Sequence, residues 1–175
     1  MMEYEVKIRV GSLLPLRTRL ASLGIRPAKN LTEKDTYFNS PTRDFGRTDE
    51  ALRIRTTDEG ASFTYKGPKI GLAGVKAREE LIVSVDPKET MEEILLRLGL
   101  TRTAAVEKTR ETYRVEGTYI ALDEVKGLGS FVEIEAPPGL GEKEAIALIG
   151  RVREELGVEG EETTLSYLEM ILAKR

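Results

Sequence analysis

"MEYEVKIRV", residues 2–10, is the stretch from which the fold is read. Tyr4, Val6, Ile8 and Val10 alternate with Glu3, Glu5, Lys7 and Arg9. Successive side chains of a strand point to opposite faces, so a period of two marks a half-buried strand. One face here is wholly apolar, while the other bears two carboxylates, an ammonium and a guanidinium.

The same alternation recurs downstream. "ALRIRTT" (51–57) sets Leu52 and Ile54 against Arg53 and Arg55, and "ASFTYKG" (61–67) sets Phe63 and Tyr65 against Thr64 and Lys66. "AREELIVSV" (77–85) places Leu81, Val83 and Val85 opposite Arg78, Glu80 and Ser84. Lys108, Arg110 and Thr112 share a side, Ile120 and Leu122 oppose Asp123, and Val132 and Ile134 oppose Glu133 and Glu135. For any single strand the simplest explanation is a face wetted by solvent, as in most antiparallel sheets. Taken as a set, the charges come in blocks of one sign: Glu3 with Glu5, Arg53 with Arg55, Lys108 with Arg110, Glu133 with Glu135. If the apolar faces pack against helices outside, the charges point into a barrel, where they persist only when paired or bound to a ligand.

The remaining elements agree with that architecture. Ser12 is placed to cap a helix to about Leu23, followed by an extended segment from about Pro27 to Asn39 and a turn cluster, "SPTRDFG" (40–46). "DEG" joins the strands 51–57 and 61–67 as a hairpin, and "GPKIGLAG" (67–74) is taken as a Gly-rich mobile loop. It does not fit the pattern of a P-loop. A helix over 88–99, a hairpin pair over 104–117 and 118–125 turning at Glu116-Gly117, a strand over 130–136, and helices over about 142–156 and 163–174 complete the chain. The expected fold is α+β: an eight-stranded antiparallel barrel, closed or nearly closed, with four helices outside, in a single domain spanning 1–175.

Composition narrows the chemistry. The chain has 175 residues, 40% hydrophobic and 33% charged, which is a globular composition. Cysteine is absent, which removes disulfides and thiolate chemistry. Histidine is absent too, so a general base must be a carboxylate, a lysine, a tyrosine or a metal-bound hydroxide. The net charge of −3 gives no argument for nucleic acid or a membrane surface. With no membrane-length apolar run and no signal-like start, a cytoplasmic protein is expected. Glutamine is absent and asparagine occurs only at Asn30 and Asn39, while Glu, Lys and Arg are abundant, a bias found in proteins of hot-growing organisms.

Carboxylates in one patch and bases in another suit a metal cation beside a polyphosphate. Glu3, Glu5, Asp123, Glu133 and Glu135 are the candidate ligands of magnesium or manganese, which prefer hard oxygen donors and share them with substrate phosphates. Lys7, Arg53, Arg55, Lys66, Arg78, Lys108 and Arg110 are the candidate phosphate contacts, with arginine able to bind two oxygens at once.

"EYEVK" (3–7) fits an ExExK motif, followed in order by "DTYFNSPTRDF" (35–45), "ALRIR" (51–55), "TYKGP" (64–68), "AREE" (77–80), "EKTRETY" (107–113), "ALDEVKGLGSFVEIE" (121–135) and "SYLEMIL" (166–172). This string resembles the CYTH family, the triphosphate tunnel metalloenzymes, and most of all its class IV adenylate cyclase branch. The resemblance implies an antiparallel tunnel with magnesium or manganese on acids matching Glu3, Glu5, Glu133 and Glu135, helped by Asp123. It also implies triphosphate binding by Lys7, Arg53, Arg55, Lys66, Lys108 and Arg110, with Lys7, Asp123 and Glu133 as the catalytic candidates.

Two reactions fit one tunnel: cyclisation of ATP to cyclic AMP and pyrophosphate, or hydrolysis of inorganic or thiamine triphosphate. A non-catalytic polyphosphate- or nucleotide-binding module is a third reading. The expected partner is a small-molecule triphosphate, with neither nucleic acid nor membrane, and a homodimer is left open. Phe38, Phe45 and Tyr167 are candidates to stack on a base, although aromatics in strands and helices more often belong to a core.

Overall fold

A computed structural model describes residues 2–72 and 75–174. Its elements are strands β1 (Met2–Val10), β2 (Lys29–Asn39), β3 (Ala51–Thr57), β4 (Gly60–Lys66), β5 (Ile70–Leu72), β6 (Val75–Val85), β7 (Thr101–Val115), β8 (Thr118–Val125), β9 (Gly129–Glu135) and β10 (Glu161–Thr163). The helices are α1 (Leu14–Ser22), α2 (Phe45–Thr48), α3 (Lys88–Arg97), α4 (Glu142–Leu156) and α5 (Tyr167–Leu172).

All pairings are antiparallel, in the order β10-β1-β9-β8-β7-β2-β3-β4-β6-β5. A further pairing of β1 with β6 closes eight of these strands into a barrel. Strand β1 makes the closure by changing partner along its length. Glu5–Val10 face β9, while on the opposite edge Met2–Glu5 pair with β6 and Lys7–Arg9 pair with β10. Among the described residues, closure leaves only the short strands β5 and β10 at open edges.

Over most of the barrel the apolar side of the alternation faces outward, under helices; on β6 the expected apolar face is uncovered, and Leu81 and Val83 stay exposed. Val6, Ile8, Ile120, Leu122, Val132 and Ile134 from β1, β8 and β9 pack against Leu16 and Leu20 of α1 and Ile149, Val152 and Leu156 of α4. On the other flank Leu95 of α3 packs with Phe38, Phe45, Leu52 and Ile54. Phe38 and Phe45 are therefore core residues of that flank and are not positioned to stack on a base. The β7–β8 hairpin turns at Glu116 (φ 48°) and Gly117 (φ 82°), two successive positive values that match the twist of the flanking strands.

Several boundaries differ from the sequence reading. The turn cluster contains a short helix, α2, because the Asp44 side chain accepts from the Gly46 N–H and caps it. Part of the Gly-rich segment is strand: β5 pairs with Val75–Ala77, while Ala73 and Gly74 lie outside the described residues. Strand β6 starts at Val75, two residues before the expected Ala77, and the last helix starts at Tyr167 instead of 163. Ser166 and Glu169 form a capping box that sets that start, and the preceding Glu161–Thr163 pairs with β1. The described residues thus hold ten strands and five helices, eight of the strands forming the barrel. Among them no helix is long and apolar enough to cross a membrane.

Candidate functional site

The inward faces of the barrel strands enclose a cavity of about 360 Å³. Glu3, Glu5, Lys7, Arg53, Arg55, Lys66, Arg78, Lys108, Arg110, Glu133 and Glu135 all line it. The alternation of β1 explains the first three: Val6 and Ile8 go outward under α1 and α4, which turns Glu3, Glu5 and Lys7 inward.

One end of the cavity is shut. Beyond the charged layer the inward positions become apolar, with Tyr37, Val106, Val125 and Phe131, and α5 lays Tyr167 and Met170 on them. The Tyr167 ring lies edge-on to Phe131, with centroids 5.0 Å apart, and carries the Lys7 ammonium over its face at 4.1 Å. Its hydroxyl donates to Asp123 Oδ2 at 2.7 Å. Tyr167 is thus a wall of the closed end. At the other end Arg114, Tyr119, Pro137, Pro138 and Ile82 form an open mouth.

The cations are crowded against one another. Burial and the neighbouring Arg53 pull the Lys66 ammonium well below its ordinary pKa, although it also contacts Glu80. Burial, Arg110 and Arg55 pull Lys108 down in the same way. Arg53 donates to Asp35 at 3.3 Å, but its Nε is buried with no acceptor. Arg55 grips both oxygens of Asp35 at 2.7 and 2.8 Å, and burial, which alone would raise that carboxyl, is outweighed by Arg53 and Arg55. Arg78 is held by the carbonyls of Gly67 and Asp49, which fixes its position on the wall.

The carboxylates divide into two kinds. Glu133 is neutralised: Lys7 lies 3.2 Å away and Arg110 2.5 Å away, and these with Lys108 overcome burial and hold its carboxyl well below the usual range. Glu3, Glu5 and Glu135 crowd together near the mouth. Burial and the charges of Glu3, Glu5 and Glu133 push Glu135 up to about 7, and burial likewise raises Glu3. Glu5 is paired with Lys76. Among the described residues no three acidic side chains converge closely enough to form a ligand set by themselves. The donor set nevertheless suits magnesium or manganese, which bind through one or two carboxylates and complete their shell with water and phosphate oxygens.

Asp123 is placed differently from the other candidate ligands. It is fully buried on the inner face toward the closed end, where its oxygens accept from Arg110 at 2.7 and 2.5 Å and from Tyr167. It faces these donors, and the cavity lining passes it by.

Sequence reasoning missed Lys76 and Asp35. Lys76 falls between the expected loop (67–74) and the expected strand (77–85), yet it lies on the face of Arg78 and Glu80 at the same period of two. Asp35 lies in the extended segment, where Glu33, Asp35 and Tyr37 alternate inward; extending the alternation test to that segment finds it. Tyr119 carries the same signal, since Ile120 and Leu122 face outward and leave Tyr119 on the inner face with Asp123; its place at the mouth comes from the barrel.

A family model described as "CYTH domain" matches residues 1–167. MJ0240 of Methanocaldococcus jannaschii, provisionally named an adenylate cyclase, is 41% identical over 135 residues, 77% of this chain and 77% of the relative. The PH1819 protein of Pyrococcus horikoshii superposes with a TM-score of 0.85 at 37% identity, covering 99% of both chains. HpAC1 of Hippeastrum, described as a candidate adenylyl cyclase with a dominant triphosphatase activity, shares the fold at 21% identity, with a TM-score of 0.76 over 99% of this chain and 96% of that one.

Proposed function

This chain belongs to the CYTH domain family, and from that premise we propose that it is a divalent-metal-dependent enzyme that converts ATP to cyclic AMP and pyrophosphate. One observation carries the triphosphate reading: like charges are crowded on both sides of one blind cavity. Burial first, and then neighbouring cations, pull Lys66 and Lys108 down, while burial and neighbouring carboxylates push Glu135 up to about 7. A metal–triphosphate brings a cation to the acids and a polyanion to the bases, and relieves both at once.

In this reading one or two of Glu3, Glu5 and Glu135 would hold magnesium or manganese, with Glu133 beside them and phosphate oxygens completing the shell. The metal would neutralise phosphate charge and lower the pKa of the attacking hydroxyl. Arg53, with its unpartnered Nε, and Arg55, Lys66, Lys108 and Arg110 bind the phosphate oxygens. Asp123 acts by clamping Arg110 in a fixed fork, and Lys7, held between Glu133 and the Tyr167 ring, offsets charge developing on the leaving pyrophosphate. The 3′-oxygen bonds to the α-phosphorus, the bond from that phosphorus to the β-bridging oxygen breaks, and the hydroxyl proton passes to a carboxylate at the mouth or to water.

Hydrolysis of inorganic or thiamine triphosphate is the second reading. It is favoured by the density of cations, which serves a bare polyphosphate as well as a nucleotide; the Hippeastrum protein, on the same fold, is described with a triphosphatase activity. The deciding assay incubates the protein with magnesium or manganese and, separately, ATP, tripolyphosphate and thiamine triphosphate, at elevated temperature and mildly alkaline pH. Cyclic AMP with equimolar pyrophosphate supports the cyclase. Free phosphate without cyclic nucleotide overturns it in favour of the hydrolase, and binding without turnover favours a binding module.

A further inference from the structure

Resting on the reading of the cavity as a triphosphate site, we propose that Arg114 and Tyr119 form a stacking platform at its mouth for the neutral planar base of a nucleoside triphosphate. The platform would favour such substrates over inorganic tripolyphosphate and over the cationic ring of thiamine triphosphate.

The closed end sets the direction of entry. With α5 seated on Val106, Phe131 and Tyr37, a phosphate chain enters from the mouth and its organic group stays there. Distances along β7 agree. Arg110 and Lys108 lie four and six residues beyond Arg114 on the same face, so Arg110 is roughly 13 Å deeper along the strand and about 10 Å deeper along the tilted barrel axis. That depth leaves room for a sugar between a base at Arg114 and phosphates at Arg110.

The chemistry of the wall changes at the same level. Inside, the lining is ionised; at the mouth it passes to Tyr119, Ala136, Pro137, Pro138 and, across the opening, Ile82, which is 61% exposed. Arg114 pairs with Tyr119, and Tyr119 with Glu135, across neighbouring strands. The Arg114 guanidinium carbon lies 4.9 Å from the centroid of the Tyr119 ring. Among the described residues Arg114 has no carboxylate partner, unlike Arg110, Arg55 and Arg53 deeper in the same cavity.

A guanidinium against an aromatic ring presents two flat surfaces, and every base has a π-face to lay on them. A neutral purine is attracted by the arrangement, whereas a cationic thiazolium meets the Arg114 charge. Inorganic tripolyphosphate has nothing to stack.

The test is calorimetric titration of the magnesium-loaded protein with non-cleavable methylene analogues of ATP and of tripolyphosphate, for the native chain and for Tyr119→Leu and Arg114→Met. Each variant should weaken the ATP analogue about tenfold and the tripolyphosphate analogue less than twofold. In competition, thiamine triphosphate should bind several-fold more weakly than the ATP analogue to the native protein, and Arg114→Met should narrow that gap. Arg114 is exposed, so its variant should fold normally; thermal melting checks both. Equal losses for the two analogues, or ATP affinity unchanged in both variants, overturns the platform and leaves the tunnel reading standing. A native protein that binds neither analogue overturns the tunnel reading and the platform with it.

Discussion

Arg110 and Asp123 face each other across β7 and β8, and the guanidinium donates to both carboxylate oxygens at 2.7 and 2.5 Å while also reaching Glu133 at 2.5 Å. The pair is buried, so neither charge can fall back on water if the other is lost.

Asp123→Asn should therefore act on fold and site together. Losing one partner of a buried ion pair costs about 3 kcal/mol of stability. Urea unfolding should show that drop, and triphosphate affinity should fall with it because Arg110 loses its orientation. A variant as stable as the native chain would mean that Arg110 is held by Glu133 alone.

Glu135→Gln should do the reverse. In the metal-free protein Glu135 is raised to about 7 by burial and by Glu3, Glu5 and Glu133. A raised carboxyl pKa means the folded state holds a proton that the unfolded state has released between about 4.5 and 7. Stability therefore falls as pH rises through that window and levels off above it, a loss of about 1–3 kcal/mol. The variant should melt higher than the native chain at pH 8 without metal, and magnesium should stabilise it far less. The stabilisation that magnesium gives the native chain should grow from pH 5 to pH 8; a shift independent of pH would remove Glu135 from the metal site.

Asp35 titrates with the opposite sign. Burial alone would raise its carboxyl, but Arg53 and Arg55 hold it below the usual range. Its contribution is fully present above the unfolded value near 4 and is lost as pH falls. Asp35→Asn should flatten the acid limb of the stability profile between about pH 4 and pH 2, measured by denaturant midpoints. An unchanged acid limb would assign acid unfolding to other carboxylates.

Gly160→Ala should destabilise through backbone contact. A Cβ at this residue would lie 2.1 Å from the Arg9 carbonyl oxygen, at a φ of 157°. The clash is with the backbone of β1, just where β10 docks on it, so a loss of about 2 kcal/mol is expected by thermal melting. A neutral substitution would show that β10 lifts from β1 at little cost.

Much of the barrel was legible in sequence because its strands obey one rule. Val6 and Ile8 on β1, Leu52 and Ile54 on β3, and Val132 and Ile134 on β9 each leave charged neighbours for the inner face, and period two needs no partner to be recognised. Helix starts were less legible, since the capping box at Ser166 and Glu169 competes with the propensity of the residues before it. Lys76 escaped because the strand is expected to begin only at Ala77, whereas pairing with β1 and β5 starts it at Val75.

By itself, then, the sequence determined which side chains share a face, and so that carboxylates and bases would meet inside a barrel with no thiol or imidazole chemistry to draw on. Only the tertiary structure decided which of those charges are already spent on each other and which are left for a ligand. The β7–β8 register set Asp123 against Arg110, the strands around Arg53 left its Nε without an acceptor, and the docking of α5 shut one end and left a mouth at Arg114 and Tyr119. The reason is physical: alternation is a property of one strand, but pairing of charges and the direction of a cavity depend on distances between residues far apart in the chain.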